Sequence, residues 1–167
     1  MEIREADEYD IPKIVKVLKA SLGEDQLELS EKVWKYKHLE NPFGKSIVLI
    51  ADENKEIIGV RAFMRWEWQF GVEKFQALRA VDTATHPNHQ GKGVFKKLTL
   101  EAVQNSKANN YHFIFNTPNE QSRPGYLKMG WKQVGEIFVG IKPSFSFLKF
   151  KNTRKSYEIK KILPMSI

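Results

Sequence analysis

The sequence predicts an α/β fold (α+β) in which a mixed, mostly antiparallel sheet of six to seven strands is flanked by about four helices. Polar and apolar residues alternate over residues 57–70, and a turn at 71–74 leads into a second strand over residues 75–85, which indicates an antiparallel pair. Residues 81–98 then form a strand, a sharp turn and the start of a helix, and the next apolar run is the short strand 111–115. A strand–helix–strand unit makes its two strands parallel, so the sheet is expected to be mixed.

Before this unit, the chain supplies one strand and two helices, followed by a buried strand. Residues 3–4 suit a short first strand. Asp10 is a good N-cap for a helix whose apolar stripe ends at Gly23. A second helix is expected from Ser30, and the apolar run 46–51 indicates a strand buried in the sheet.

The last part of the pattern is a short helix and a final strand. Asn119 or Ser122 is expected to cap the helix, which ends at Gly130. Residues 131–140 suit a strand, and the alternation weakens after it. We therefore expect one domain over residues 1–141.

The composition narrows the class of protein. A chain of 167 residues with 41% hydrophobic content is long enough for one domain with a real core. It has no cysteine, and therefore neither disulfides nor a thiol nucleophile. The acidic N-terminus lacks the pattern of a secretory signal, and no apolar run approaches the roughly 20 residues of a membrane span. We expect a soluble, cytoplasmic protein with no membrane partner.

The positive charge is concentrated at the C-terminus. The net charge is +7, and residues 142–167 contain seven lysines and arginines against one glutamate. Such a basic tail could bind nucleic acid, but a solvated end segment or a piece of a longer chain is the favoured interpretation. The tail could also add a last strand, begin a second domain or exchange with a partner in a homodimer.

A glycine-rich turn stands where the central helix begins. Residues 90–93 are Gln-Gly-Lys-Gly, and helical spacing starts at Val94. The first N–H groups of a helix have no partner and favour negative charge, and two glycines let an anion such as a pyrophosphate approach closely. The patterns of P-loop and dinucleotide sites are absent. The alternative is a glycine turn that only caps a surface helix.

This stretch resembles the acyl-CoA-binding motif of the GNAT superfamily of N-acyltransferases, Gln/Arg-x-x-Gly-x-Gly/Ala after a strand. Gln90 and Gly93 fill the first and fourth positions, whereas Phe95 stands where Gly or Ala is usual. Residues 119–131, N-E-Q-S-R-P-G-Y-L-K-M-G-W, are similar to a second family segment, Asn-x-x-Ala/Ser followed by Tyr-x-x-x-Gly-Phe/Trp. Two motifs in the family's order imply the GNAT fold over about residues 1–140.

The resemblance implies how acetyl-CoA would be held. Backbone N–H groups of residues 90–95 would surround its pyrophosphate. In the family, a bulge splays the fourth strand from the fifth so that pantetheine pairs with the free edge, and residues 83–85 match that place. An ordinary strand end and a helix cap are the alternatives for these positions. The residues expected to contact acetyl-CoA are Thr83, Ala84, Thr85, Gln90, Gly91, Lys92, Gly93, Val94, Phe95, Asn119 and Ser122.

Three residues are candidates for proton transfer. Tyr126 is the expected acid, because the family places a tyrosine at this spacing beside the sulfur and a phenol can protonate a departing thiolate. An ordinary core tyrosine is the alternative. Glu67 and Asp82 are candidates for the base that takes the ammonium proton. Glu67 could instead pair with Arg65 or Arg79 on the sheet surface, and solvent alone could remove the proton.

The function implied is an N-acetyltransferase that moves the acetyl group of acetyl-CoA directly to a primary amine in a ternary complex. The acceptor would be a small molecule or a peptide, and no metal is expected, since His86 and His89 lack the partners of a zinc site. The alternative is an acyl-CoA-binding or regulatory module of the GNAT fold with weak or no catalysis. Phe95 and the uncertain base favour that alternative. Arg61 and the two arginines named above hint at an acidic group on the acceptor, although surface solvation explains them equally well.

Overall fold

The computed structural model of the chain describes residues 1–22, 30–139, 157–162 and 165–166. Its helices and strands follow the predicted order through the central helix. In chain order they are β1 (Glu2–Glu5), α1 (Ile11–Leu22), α2 (Glu31–His38), β2 (Ile47–Glu53), β3 (Glu56–Phe70), β4 (Glu73–Thr85), α3 (Val94–Ala108), β5 (Phe113–Phe115), α4 (Arg123–Lys128), β6 (Gly135–Val139), β7 (Tyr157–Ile162) and β8 (Met165–Ser166).

The described strands form one large sheet and one separate pair. The six-stranded sheet has the order β1-β2-β3-β4-β5-β8, and β6 pairs with β7. Every pair is antiparallel except β4 with β5, which α3 connects as a crossover. The mixed α/β fold is therefore confirmed. The final strand differs from the expectation, because it begins at Gly135 and pairs outside the large sheet.

The cap of the first helix differs from the prediction. The carboxylate of Asp7 accepts hydrogen bonds from the N–H groups of Tyr9 and Asp10 in a 3-10 turn that precedes α1. Asp10 is buried instead, and its two oxygens bind Arg4 at 2.6 and 2.8 Å. The hydrogen bond from Arg4 lowers the pKa of Asp10. Asp7 and Asp10 both suit an N-cap by residue type. Because Asp10 is buried against Arg4, Asp7 provides the cap.

The cap of the second helix is as predicted. The Ser30 hydroxyl accepts a hydrogen bond from the N–H of Val33 at 3.2 Å. The expected end of α1 at Gly23 lies outside the described residues. Among the described helices, none has the length and hydrophobicity that crossing a bilayer requires.

Each face of the large sheet carries an apolar cluster. Helix α3 packs on one face through residues such as Leu98, which lies in the same cluster as Phe63 and Leu78. Helix α1 packs on the other face through Leu18, in a second cluster. Residues 57–64 of β3 are consequently all buried, and the expected alternation of buried and exposed positions fails there. Because helices cover both faces of the strand there, the charged side chain of Arg61 is buried.

One glycine of β3 fixes how closely α3 approaches the sheet. A Cβ atom added at Gly59 would lie 2.6 Å from Val94 Cγ1 and 3.1 Å from Leu98 Cδ1. Real Cβ atoms essentially never approach so closely, so any larger residue at this position would require Val94 or the start of α3 to move. Gly59 therefore sets the position of the N-terminus of α3 against β3.

Candidate active site

The strand pairing leaves a groove between β4 and β5. Residues Ala77–Arg79 of β4 pair with Phe113–Phe115 of β5, and β4 continues beyond this pairing to Thr85. Beyond Arg79 the strands part around a groove of about 800 Å³, lined by the end of β4, the first turn of α3, α4 and the loops beside them. Residues predicted for the site that line it are Asp82, Thr83, Ala84, Thr85, Gln90, Gly91, Gly93, Val94, Phe95, Asn119, Ser122 and Tyr126.

A bulge in β4 shapes the start of the groove. Arg61 of β3 lies opposite Thr83, whereas Ala62 lies opposite Val81, so that Asp82 is an extra residue in β4. Asp82 has a φ of 42°, an unusual angle for a residue with a side chain. Bulges of this kind bend a strand and change the direction of its side chains. Here the bulge accompanies the separation of β4 from β5.

The Asp82 carboxylate is held by two donors from α2. Its Oδ2 atom lies 2.6 Å from Lys37 Nζ and 2.7 Å from His38 Nε2. His38 is buried, and its other ring nitrogen lies 2.9 Å from Ser46 Oγ. Burial by itself would raise the pKa of Asp82, but the hydrogen bonds and the charge of Lys37 outweigh it, and the pKa is lowered. Asp82 is therefore ionised at neutral pH and is suited to hold a cation better than to take a proton.

The Tyr126 hydroxyl meets a buried arginine beside the groove. Arg61 Nη1 donates a hydrogen bond to the Tyr126 oxygen at 2.5 Å, and the same nitrogen donates to Thr83 Oγ1. Arg61 has no solvent exposure, and burial lowers the pKa of its guanidinium. The Tyr126 ring is itself buried between Phe95, at 5.4 Å between centroids, and Trp131, at 4.8 Å. The phenol oxygen is thus fixed at the wall of the groove.

The glycine-rich loop before α3 is open above its backbone. Gly91 and Gly93 have φ angles of 74° and 76°, which favour glycine. A Cβ atom added at either position would meet nothing within 4 Å. Gly93 is the N-cap of α3 and has no side chain that could cover the first N–H groups of the helix. The loop therefore presents backbone donors to the groove.

The Phe95 ring packs against α4. A Cβ atom added at Gly125 would lie 3.0 Å from Phe95 Cε1, and the ring meets the Tyr126 ring edge to face. Phe95 contributes to the groove wall, and the groove keeps the volume given above. The departure from the small residue of the family pattern is thus accommodated by packing on a glycine of α4.

Asn119 and Ser122 organise the turn into α4. The Asn119 Oδ1 atom accepts hydrogen bonds from the Ser122 N–H at 2.9 Å and from the Ser122 hydroxyl at 2.8 Å. The Asn119 carbonyl accepts a hydrogen bond from the Arg123 N–H at 3.0 Å. Asn119 therefore caps the turn that leads into α4, whereas the Ser122 side chain makes no cap hydrogen bond to the helix, and both residues border the groove.

Comparison with models of protein families identifies the family of the chain. The family model described as an acetyltransferase (GNAT) domain matches residues 2–134. The chain belongs to the GNAT acetyltransferase family.

Solved structures agree with this family at the level of the fold. The GNAT domain is similar to a ribosomal-protein-alanine N-acetyltransferase from Brucella melitensis, with a TM-score of 0.69 and 14% identity over 100% of both chains. A GNAT family acetyltransferase from the same organism, solved in complex with acetyl-CoA, gives a TM-score of 0.60 and 20% identity over 78% of this chain and 82% of that one. A conserved protein of unknown function from Enterococcus faecalis gives a TM-score of 0.68 and 12% identity over 81% of this chain, which spans only 33% of that protein. A search of curated proteins gave no significant match.

Two of the predicted site residues lie outside the groove of this GNAT domain. The Glu67 carboxylate pairs with Lys74 Nζ at 2.9 Å, and not with either of the arginines expected. Glu67 lies six residues from Arg61 along β3, or about 20 Å at the rise of a strand. This position does not suit a base for a reaction in the groove. Lys92 belongs to the glycine-rich loop, but its exposed side chain does not line the groove.

Three residues of the site were not predicted from the sequence. For Arg61 the sequence left open a contact with an acidic group of the acceptor or a solvated surface, and neither reading predicted its burial. Lys37 and His38 were not among the predicted site residues. The pair on α2 lies more than forty residues from Asp82 in the chain and meets it only through the tertiary fold. In the described parts of the chain, no three His, Asp or Glu side chains come together as a metal site requires.

Proposed function

We propose that this GNAT domain is an acetyl-CoA-dependent N-acetyltransferase that transfers the acetyl group directly to a primary amine in a ternary complex. The observation that carries the proposal is the groove itself. It brings together the free edge of β4, the open glycine-rich loop and the Tyr126 hydroxyl. A donor grip and a proton donor are therefore adjacent, which is what acyl transfer needs.

The residues present fit acetyl-CoA. Beyond Arg79, no strand among the described residues pairs with the edge of β4 that faces β5, so residues 83–85 can offer backbone groups to the amides of pantetheine. The N–H groups of residues 91–95 at the mouth of α3 suit a pyrophosphate, and the open space over both glycines leaves room for one. The N–H of Gln90, which was also expected to contribute, donates to the Pro87 carbonyl instead. When bound, acetyl-CoA would supply the activated acetyl thioester.

Tyr126 is proposed as the acid. Because its oxygen already accepts a hydrogen bond from Arg61, its own O–H is free to donate toward the groove. A proton given to the departing sulfur would typically be worth a factor of about 10² to 10⁴ in rate. Its buried ring, held between two aromatic neighbours, limits the directions in which the hydroxyl can point.

Asp82 is proposed to attract the ammonium form of the acceptor, and solvent is proposed to remove the proton. The lowered pKa of Asp82 makes it a weak base. Lys37 and His38 both contact its Oδ2 atom, so the acceptor ammonium would bind through the second carboxylate oxygen at the edge of the groove. Turnover with the panel of amines and peptides described below distinguishes a small-amine acceptor from a peptide. The choice between solvent and Asp82 as proton acceptor is tested by the Asp82→Asn variant described below.

The test has two stages. Acetyl-CoA is titrated by calorimetry into the wild-type protein and into Tyr126→Phe, and both proteins are then assayed for thiol release with a panel of amines and peptides. The proposal predicts equal binding to both proteins and turnover that falls about 100-fold or more in the variant. No heat at millimolar acetyl-CoA would overturn the proposal. Binding without turnover of any amine would favour the acyl-CoA-binding module instead.

A further inference from the structure

Arg61 is a buried cation with an unusual set of partners. It lies in the middle of β3 with 0% exposure. Its Cζ atom lies 4.8 Å from the centroid of the Phe63 ring, 5.2 Å from that of Tyr126 and 5.9 Å from that of Phe95. Its two hydrogen bonds go to hydroxyl oxygens, one on Tyr126 and one on Thr83. The guanidinium is therefore held in an aromatic cage that excludes water.

This environment is costly for the fold. Burial of a charge is strongly unfavourable unless a carboxylate and further hydrogen bonds compensate it. Within the described residues, no carboxylate pairs with Arg61, and its Nε and Nη2 atoms have no hydrogen-bond partner. An apolar side chain of similar length would fill the cage without these penalties. A charged side chain at such a costly site points to a role beyond packing.

The contacts of Arg61 connect it to the groove without placing it there. Arg61 does not line the groove, whereas Thr83 and Tyr126 both do. Thr83 follows the bulge residue of β4, and Tyr126 comes from α4, so that the guanidinium joins the two walls. Any effect of Arg61 on a bound molecule must therefore pass through these two residues.

We infer that Arg61 is a positioning residue that acts through Tyr126, fixing the direction of the phenol O–H and stabilising the phenolate that proton donation leaves behind. The inference rests on the proposed function. In that reaction the C–N bond to the acceptor forms, the acetyl C–S bond breaks, and the Tyr126 proton moves to the sulfur. The phenolate oxygen then remains 2.5 Å from a guanidinium nitrogen until solvent returns a proton.

The test is a double-mutant cycle on Arg61 and Tyr126. Turnover is measured for the wild type, Arg61→Met, Tyr126→Phe and the double variant, with acetyl-CoA affinity and melting temperature measured for each protein. We expect Tyr126→Phe to lose about 100-fold or more in kcat and Arg61→Met about 30-fold or more, with little change in acetyl-CoA affinity. The double variant should be within about 3-fold of Tyr126→Phe, because Arg61 has no effect once the phenol is absent. Losses in kcat that multiply would show a structural role for Arg61 and overturn the inference.

Two further variants keep the test informative. Lys107→Met removes a positive charge from an exposed position in the last turn of α3, at the opposite end of that helix from the groove, and it should keep wild-type kcat within about 2-fold. Arg61→Lys keeps the charge and should retain more activity than Arg61→Met. If Arg61→Met does not fold, the cycle is run with Arg61→Lys and the same criterion of non-additivity. Wild-type kcat in a folded Arg61→Met protein would overturn the inference.

The wild-type assay separates this inference from the proposed function. If the wild-type protein acetylates none of the amines in the panel, the proposed function fails, and the inference fails with it. If the wild type is active but loss of Arg61 is harmless or multiplies with loss of Tyr126, only the inference fails.

Discussion

The contact between β3 and the first turn of α3 should be sensitive to a single methyl group. In the Gly59→Ala variant the added Cβ would lie 2.6 Å from Val94 Cγ1 and 3.1 Å from Leu98 Cδ1, whereas carbon atoms normally stay about 3.5–4.0 Å apart. The start of α3 would have to move away from the sheet by about 1 Å. Because the glycine-rich loop ends where α3 begins, the same movement should displace the backbone donors of the loop.

The expected magnitudes follow from overpacking. Extra methyl groups in a tight core typically cost about 1–3 kcal/mol. For a protein of this size, each kcal/mol shifts the melting temperature by about 2–4 °C, so the Gly59→Ala variant should melt several degrees lower than the wild type. A displacement of about 1 Å in binding groups should also weaken acetyl-CoA binding by about 10-fold or more.

Thermal unfolding and calorimetric titration measure both effects. The matched control is Gly135→Ala, where an added Cβ meets nothing within 4 Å and the φ angle is not positive. This control should leave stability and binding nearly unchanged. Pairing Gly59→Ala with Val94→Ala removes the closest atom and should recover part of the loss. A Gly59→Ala protein as stable as the wild type would refute the close approach of α3.

Three further predictions concern the groove and its surroundings. The Asp82→Asn variant removes the negative charge that Lys37 and His38 contact, so its melting temperature at neutral pH should be lower than that of the wild type. Because the pKa of Asp82 is lowered in the folded protein, the wild type should lose this advantage as pH falls below about 4. The melting temperatures of the two proteins should therefore converge between pH 7 and pH 3. If Asp82 is also the base, this variant should lose about 100-fold or more in kcat, whereas solvent deprotonation predicts a much smaller loss. Gly93→Ala places a side chain at a φ of 76° over the open loop, and calorimetry should show acetyl-CoA binding at least about 10-fold weaker. Glu67→Gln should keep wild-type turnover within about 2-fold, and a larger loss would return Glu67 to the reaction.

Local patterns were sufficient to predict the order of the elements. The glycine turn at residues 90–93, followed by helical spacing from Val94, predicted where α3 begins, because backbone angles and periodicity are local properties. The short strand 111–115 after that helix predicted the parallel pair in the sheet. The two motifs also predicted which loops border the groove, since both stand at the ends of these elements.

Tertiary contacts determine the features of the site that could not be predicted from the sequence. Arg61 looked solvent-exposed because charged and apolar residues alternate along β3, yet helices cover both faces of the strand there, and the guanidinium is buried. The family resemblance implied a bulge in β4 at residues 83–85, and the structure has the extra residue at Asp82, whose partners on α2 are remote in the chain. The final strand begins at Gly135 and not at Trp131 as predicted, and the Trp131 ring packs against the Tyr126 ring before the strand starts.

The proposed function requires acetyl-CoA to occupy the groove between β4 and β5, and a crystal structure of the wild-type protein grown with coenzyme A would locate it. We expect pantetheine along residues 83–85, the pyrophosphate on the N–H groups of residues 91–95, and the sulfur near the Tyr126 hydroxyl. Coenzyme A bound elsewhere on the protein, or no coenzyme A in the groove at millimolar concentration, would show that the proposed function is wrong.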